Sequence, residues 1–422
     1  MTDPLHLPTR DRIQSLDTIR GIAVMGIFSV NVIAFAMIFP AYMNPGAFGG
    51  YTGENLAIWL ANYIIIDGKM RTLFSMLFGA SMLLVIDRAQ ASGQSPARVH
   101  YARMVVLLMF GLFHFYFIWH GDILVLYALT GLIAFFFRKC RTRTMLIWGG
   151  ALLLFATLTF SDASYGMRQS DLAARGPDAT AKEVKRWNDM ASFANKPASA
   201  NAEETRIALS PVNERAEHML TERAAQPFGG AIALILPTLG LMLVGMAGYR
   251  SGFLTGAWDD RRYRRIAGWT LTIGAATTLA LALWVISSDF YIPLLFLTFV
   301  GLGGFIQLAM AIGYASLIIL VTRRGGRLAE RVAAVGRTAF SNYLGTSIVA
   351  ALIFYGDGLA LFGKLSRFEA WLVVPLMWAL MLLWSKPWLD RFHYGPLEWL
   401  WRSLARGRLQ PLRKHRVVLA PA

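Results

Sequence analysis

Apolar residues in this chain gather into long runs rather than into the narrow stripes of surface helices. A helix that crosses a bilayer needs about 20 mostly apolar residues. Such runs occur near 19–39, 57–86, 102–119, 123–137, 144–160, 228–249, 266–286, 292–320, 338–356 and 369–390. They predict an all-α polytopic membrane protein of about ten transmembrane helices. The run at 123–137 is short, whereas 57–86 and 292–320 are long enough to tilt or break.

The polar stretches between the runs supply the orientation. Cytoplasmic loops of membrane proteins collect Lys and Arg. Here the basic residues cluster at Arg138 to Arg143, Arg261 to Arg265, Arg323 to Arg337 and the C-terminal tail, whereas 40–56, 120–122 and 287–291 hold none. Alternate loops therefore differ in charge, and the pattern predicts both termini on the cytoplasmic side. Segment 161–226 breaks the pattern, with ten acidic and nine basic residues and runs such as Ala181-Lys182-Glu183-Val184-Lys185-Arg186-Trp187. It reads as a mostly helical extracytoplasmic insert of two or three amphipathic helices, with a disordered loop as the alternative. The chain so divides into a five-helix half at 1–160, an amphipathic cap at 161–226, a second five-helix half at 227–392, and an interfacial helix with a basic tail at 393–422. Within the last, Pro396 followed by Leu397, Trp399 and Trp401, then Arg402, predicts a helix lying at the inner interface.

Composition agrees with the runs. Apolar residues make up 56% of the 422 and charged residues 16%, against roughly 25% charged in soluble domains. A net charge of +16 would suit a nucleic-acid binder, but its distribution makes it an orientation signal with some attraction to anionic lipid. Cys140 is the single cysteine, so no intramolecular disulfide forms, and the seven scattered His residues predict no metal site. The first apolar run is too long for a cleavable signal peptide, and it lacks a small-residue cleavage site.

Ionisable and polar groups at membrane depth are costly unless paired or hydrated, so they mark candidate function. Asp17 and Arg20 stand three apart at the mouth of the first helix, either as a cap with an anchor or as a functional pair. Asn31 lies about three turns deeper, suited to a cavity or to interhelical hydrogen bonding. Asp67-Gly68-Lys69-Met70-Arg71 places three charges around a glycine within one run, which predicts a helix break lining a watery cavity. There Lys69 binds an anionic group or neutralises Asp67.

The block from Arg103 through His114 to Trp119-His120-Gly121-Asp122 is the most informative. A turn at Gly121 folds Asp122, at the start of the next helix, back towards His114. A carboxylate beside an imidazole fixes its tautomer and stabilises the imidazolium, as a general base requires. Asp122 also suits an N-cap, and the two roles are compatible. His120 reads as an ordinary interface residue. No phosphate-binding loop, dinucleotide fingerprint, zinc-helix motif or nucleophile elbow is present.

Ser15-Leu16-Asp17-Thr18-Ile19-Arg20-Gly21-Ile22-Ala23, Gly68-Lys69-Met70-Arg71-Thr72-Leu73-Phe74-Ser75-Met76-Leu77-Phe78-Gly79 and the His114 to Leu124 block resemble the YeiB family of bacterial inner-membrane proteins. So do Gly336-Arg337-Thr338-Ala339-Phe340-Ser341-Asn342-Tyr343-Leu344 and the stretch from Tyr394 to Arg402. That family resembles, at a distance, membrane acyltransferases that acetylate surface polysaccharides and the lysosomal heparan-glucosaminide acetyltransferase. The resemblance implies an acyl-CoA donor, acetyl-CoA or a longer one, that arrives from the cytoplasm without being tightly bound. It also implies an acceptor on the far side, a bacterial inner-membrane location and a plausible homodimer. The arginine-rich inner side, with Arg20, Arg337 and Asn342, would hold the CoA phosphates. In polysaccharide acyltransferases a catalytic His stands where this chain has Asn31, and no His lies between Asn31 and Asn55, so either His114 supplies the base or this branch has lost acyl transfer.

The leading expectation is therefore a transmembrane acyltransferase. His114 oriented by Asp122 acts as base, Asn31 hydrogen-bonds the thioester carbonyl, Lys69 steadies negative charge, and Asp17, Arg71 and Trp119 complete the binding site. A transporter or flippase that uses Asp67, Lys69 and Asp122 is the rival expectation, and a non-catalytic membrane binding protein the third. The acceptor and the acyl group are not legible in the sequence.

Overall fold

A computed structural model describes residues 13–414 and is helical throughout, with no strand among the described residues. In chain order the helices are α1 (Gln14–Ala36), α2 (Gly53–Ala61), α3 (Lys69–Ala91), α4 (Pro96–Phe117), α5 (Leu124–Ala134) and α6 (Thr142–Ala174). Three short helices follow, α7 (Ala181–Ala191), α8 (Ala198–Leu209) and α9 (Val212–Thr221). The second half holds α10 (Gln226–Arg250), α11 (Asp260–Ser287), α12 (Ile292–Phe296), α13 (Gly303–Arg323), α14 (Arg327–Arg337) and α15 (Ala339–Phe354). It closes with α16 (Arg367–Trp371), α17 (Val373–Arg391) and α18 (Pro396–Arg406).

Among the described residues, eight helical segments are long and apolar enough to cross a membrane, counting α2–α3 and α16–α17 as one each. That is the make-up of a multi-pass membrane protein. The exposed surface tells the same story. Along α4, Val105, Met109, Phe113 and Phe117 recur every four residues, and all are exposed. From Leu372 just before α17, Leu376, Leu380 and Leu383 follow at intervals of four, four and three residues, all exposed. An apolar stripe of this extent is unfavourable in water and unremarkable in lipid.

Helix α1 runs through the centre, packed by α3, α13, α14, α15 and α17. Helices α6 and α11 are peripheral, with 22% of their apolar windows buried against 72% for α1. Small residues allow the tightest contacts. A Cβ added to Gly79 of α3 would meet the Met242 carbonyl oxygen at 2.1 Å, and one on Gly245 of α10 would meet the Met76 carbonyl oxygen at 1.8 Å. In lipid, helices associate largely through such close backbone approach, because apolar side chains gain little from leaving one apolar medium for another.

Both long runs are interrupted. Asn62–Ile66 forms a π-turn that leads to Asp67 and to Gly68 at φ 71°, and Leu297–Gly301 forms a second π-turn between α12 and α13. The insert differs from its expected bounds, because α6 continues to Ala174. Three helices follow it, and α9 packs on α4. Tyr116 donates to the Ala224 carbonyl at 2.6 Å, which fixes the insert over the C-terminal end of α4.

At the opposite end, α18 caps α15 from outside its own chain segment. Glu398 accepts from the backbone N–H groups of Phe340 at 2.7 Å and Ser341 at 3.1 Å. Burial pushes its carboxyl pKa up, although the hydrogen bonds from Ser341 pull the other way.

Gly245→Leu is expected to cost about 1–3 kcal/mol through forced separation of α3 and α10, measured as a lowered melting temperature in detergent. Gly150→Ala, where an added Cβ meets nothing within 4 Å, is expected to hold or raise it.

Candidate functional site

His114 is the centre of the site. It lies one turn before the end of α4 and is fully buried. Its Nδ1 stands 2.8 Å from Oδ1 of Asp122. The other carboxylate oxygen, Oδ2, accepts from the Val125 backbone N–H at 2.8 Å. Asp122 so caps α5 and orients His114 at once. A carboxylate accepting from Nδ1–H leaves Nε2 with its lone pair, and Nε2 meets no hydrogen-bond partner.

The local sequence builds this geometry. A Cβ on Gly111 of α4 would meet the Val125 backbone nitrogen at 2.7 Å, so glycine there lets the N-terminus of α5 settle against α4. The chain between the helices folds so tightly that a Cβ on Gly121 would strike the Trp119 ring at 2.3 Å.

Two further polar groups belong to the same pocket. Tyr343 of α15 places its ring 5.3 Å from the imidazole, and Trp119 stands edge-on at 6.2 Å. The Tyr343 hydroxyl and the Trp119 Nε1 are buried and, like His114 Nε2, lack a hydrogen-bond partner among the described residues. A buried polar atom left unmatched costs free energy, so the acceptor Nε2 and the two donors near the imidazole mark a place made for a further polar group. Trp119 stacks on Phe35 at 4.1 Å. Asn31 is half-buried on α1, one turn from Phe35 and on the same face. Tyr343 was not singled out in the sequence, because it enters from α15, more than two hundred residues away.

The other candidates form separate groups. Lys69 is buried and donates to the Tyr63 carbonyl, which the π-turn frees from the helix ladder. Asp67 accepts from the Tyr42 hydroxyl at 3.1 Å, and the Arg71 carbonyl accepts from Ser75 Oγ at 2.9 Å. The α12–α13 break closes on the same place, where Thr298, Gly303 and Gln307 line a small pocket with Tyr63, Asp67 and Lys69.

At the arginine-rich end, Arg20 binds Asp17 at 3.1 Å, Ser81 Oγ at 2.6 Å and the Gly336 carbonyl at 3.5 Å. The group ties α1 to α3 and to α14, which Arg337 ends. Asn342 is engaged on both sides of its amide. Its Nδ2 donates to Val335 O, Thr338 Oγ1 and Ser385 Oγ, and its Oδ1 accepts from Trp384 Nε1 at 2.8 Å.

A cavity of about 240 Å³ lies between the insert and the ends of α4 and α15. Trp119 and His120 are in its wall, so it adjoins the His114 pocket. Burial first, then the positive charge of Arg223, lowers the His120 pKa to about 4, while Glu204 opposes the shift.

The chain shares 30% identity with the uncharacterized protein YeiB of Escherichia coli (strain K12), over 93% of this chain and 96% of the relative. It shares 29% with the uncharacterized protein YxaH of Bacillus subtilis (strain 168), over 96% and 97%. Residues 248–408 match the family described as a protein of unknown function (DUF418). No solved structure matches the chain.

The His120 shift has a definite sign. Between pH 6.5 and about 4 the unfolded chain binds a proton that the folded chain does not, so stability is complete above pH 6.5 and falls with pH below it. His120→Gln is expected to flatten that acid slope in melting curves taken between pH 7 and pH 4.

Proposed function

The chain belongs to the YeiB family, and from that premise we propose that it is a transmembrane acyltransferase. Its donor would be acyl-CoA and its acceptor a hydroxyl or amine on the far side of the membrane or within it. The observation that carries the reading is the buried His114–Asp122 pair, whose free Nε2 is flanked by two unmatched donors.

The chemistry follows from the geometry. His114 Nε2 takes the proton of the acceptor hydroxyl or amine as that group attacks the thioester carbonyl. The acceptor–acyl bond forms, the carbon–sulfur bond breaks, and the CoA thiolate leaves with the proton returned from the imidazolium. Asp122 stabilises the imidazolium through Nδ1. Tyr343 and Trp119 are placed to donate to the oxyanion of the tetrahedral intermediate, which is where a water-excluded site gains most. Asn31 takes the same role from the α1 side. Lys69 and Arg71, at the broken helix, steady negative charge along the donor's path. CoA phosphates approach the arginine-rich end, near Asp17, Arg20, Arg337 and Asn342.

The topology that suits this reading has ten crossings, the eight long segments together with α5 and α15. Both termini lie in the cytoplasm of a bacterial inner membrane, and the insert outside caps two five-helix halves. A homodimer fits the same reading.

One observation favours a transporter instead. Two interrupted helices meet at Asp67, Lys69 and Gln307, and discontinuous helices commonly form substrate and ion sites in transporters. That reading expects solute movement driven by the proton gradient, lost in Lys69→Ala, with no covalent product.

Acetyl-CoA or a longer acyl-CoA is expected to raise the melting temperature of the detergent-purified protein. His114→Ala and Asp122→Asn are expected to keep that shift while slowing CoA release in membranes by about 10²–10⁴-fold. The absence of any shift with every acyl-CoA would sink the reading, as would full turnover in His114→Ala.

A further inference from the structure

The cavity beneath the insert has a charge pattern of its own. Most ionic groups in its wall are matched. Lys196 pairs with Glu204 at 2.7 Å, Arg215 pairs with Asp357, and Glu203 pairs with Arg206 at 2.9 Å. Glu204 also accepts from the Phe39 backbone N–H at 2.6 Å. Among the described residues Arg223 has no ion-pair and no side-chain hydrogen-bond partner, and it shares the wall with His120 and His218. It stands close enough to His120 to disfavour a proton there. A partly buried guanidinium with no carboxylate beside it is an anion-binding group, because Arg presents a planar fork of donors.

The rest of the wall is aromatic, and it has a lipid-facing side. Phe115, Tyr116 and Phe117 line the cavity from the last turn of α4. Phe117 is also exposed on the outside of the helix, where its ring stacks at 5.2 Å on exposed Phe113 one turn further along. The cavity wall and the apolar stripe of α4 therefore meet at Phe117. A molecule with an acyl chain could lie along that stripe and place its head group inside.

We propose that this cavity binds an anionic amphiphile carrying a phosphate or carboxylate head group, which Arg223 holds, with its apolar part against Phe113 and Phe117. This deepens the acyltransferase reading, on which it rests for the role of the bound molecule as acceptor. Trp119 lines the cavity and stands edge-on to His114 at 6.2 Å, so a head group held at Arg223 would lie one side chain away from the imidazole. The matched pairs Lys196–Glu204 and Arg215–Asp357 shape the wall and leave one cation to select charge.

Binding can be tested on the full chain in nanodiscs, by titrating phosphatidylglycerol into a phosphatidylcholine background and measuring retention by native mass spectrometry. Phosphatidylglycerol is expected to be retained over phosphatidylcholine, at least tenfold more weakly in Arg223→Gln and in Phe117→Ala. Lys185→Gln, exposed on the insert and paired with Asp189, is expected to bind as the wild type does. A parallel arm uses soluble glycerol phosphate and thermal stabilisation. Arg223-dependent binding of both probes supports the head-group site. Glycerol phosphate binding without lipid retention would overturn the amphiphile. Retention that Arg223→Gln leaves unchanged, in a variant with the wild-type melting temperature, would overturn the site. If lipid binding fails while the acetyl-CoA shift persists, only the proposed acceptor falls. If the CoA shift fails while the lipid binds, the transfer reading falls and the cavity stands.

Discussion

A buried imidazole needs a partner for each ring nitrogen, and His114 has been given one. Everything around it is arranged to supply that one well. Asp122 holds Nδ1 with one oxygen and the first turn of α5 with the other, so the carboxylate cannot turn without uncapping a helix. A carboxylate bound at both oxygens loses little freedom when it orients a neighbour, which is what keeps a catalytic group in place. The close approach of α4 and α5 at Gly111 is the condition for this. Its consequence is a buried imidazole whose ring lies 5.3 Å from that of Tyr343 and 6.2 Å from that of Trp119.

The long-range packing serves the same point. Tyr343 arrives on α15, whose N-terminus is held by Glu398 from α18. Helix α18 is in turn fastened to α4, where Trp401 donates to the Arg103 carbonyl at 3.0 Å and the Arg103 guanidinium stacks on its ring. So α4 carries the imidazole at one end and, through α18, helps to place the tyrosine from the other. Loosening the C-terminal helix should therefore be felt at His114, although Arg103 and His114 lie about 17 Å apart along α4 at roughly 1.5 Å per residue.

What could be read in the sequence was what short spacing encodes. Asp122 lies eight residues after His114 with a glycine between, and a tight turn is the economical way to join two antiparallel helices. The breaks in the two long runs were legible because a run that is too long for the bilayer and carries Asp67, Lys69 and Arg71 cannot continue as a plain lipid-facing helix. Tyr343 was hidden because its hydroxyl matters only through contacts made across the bundle, and no period marks them. Arg20 and Asn342 show the converse. Their polarity was legible, but their partners, Ser81 and Gly336 for one and Trp384 and Ser385 for the other, depend on packing. The bound of the insert was misplaced for a similar reason. Polar residues after 160 looked like the end of a span, yet α6 runs on to Ala174, with Ser164 bonded to the Pro293 carbonyl and Asp171 to the Tyr291 hydroxyl.

The two polar centres of the bundle differ in a way that bears on what each can do. Lys69 is committed, since its ammonium replaces a helix hydrogen bond that the π-turn removed from Tyr63. Removing that charge would orphan a carbonyl, so its first duty is to the break itself. His114 has no such duty on its Nε2, and Tyr343 and Trp119 have none on their polar atoms. His100 on the same helix, by contrast, bonds the Gly131 carbonyl through Nε2 at 2.9 Å and stacks on Phe135. Of two buried histidines on α4, then, one is spent on packing and the other is held by a carboxylate, with the rings of Tyr343 and Trp119, whose polar atoms are unmatched among the described residues, beside it.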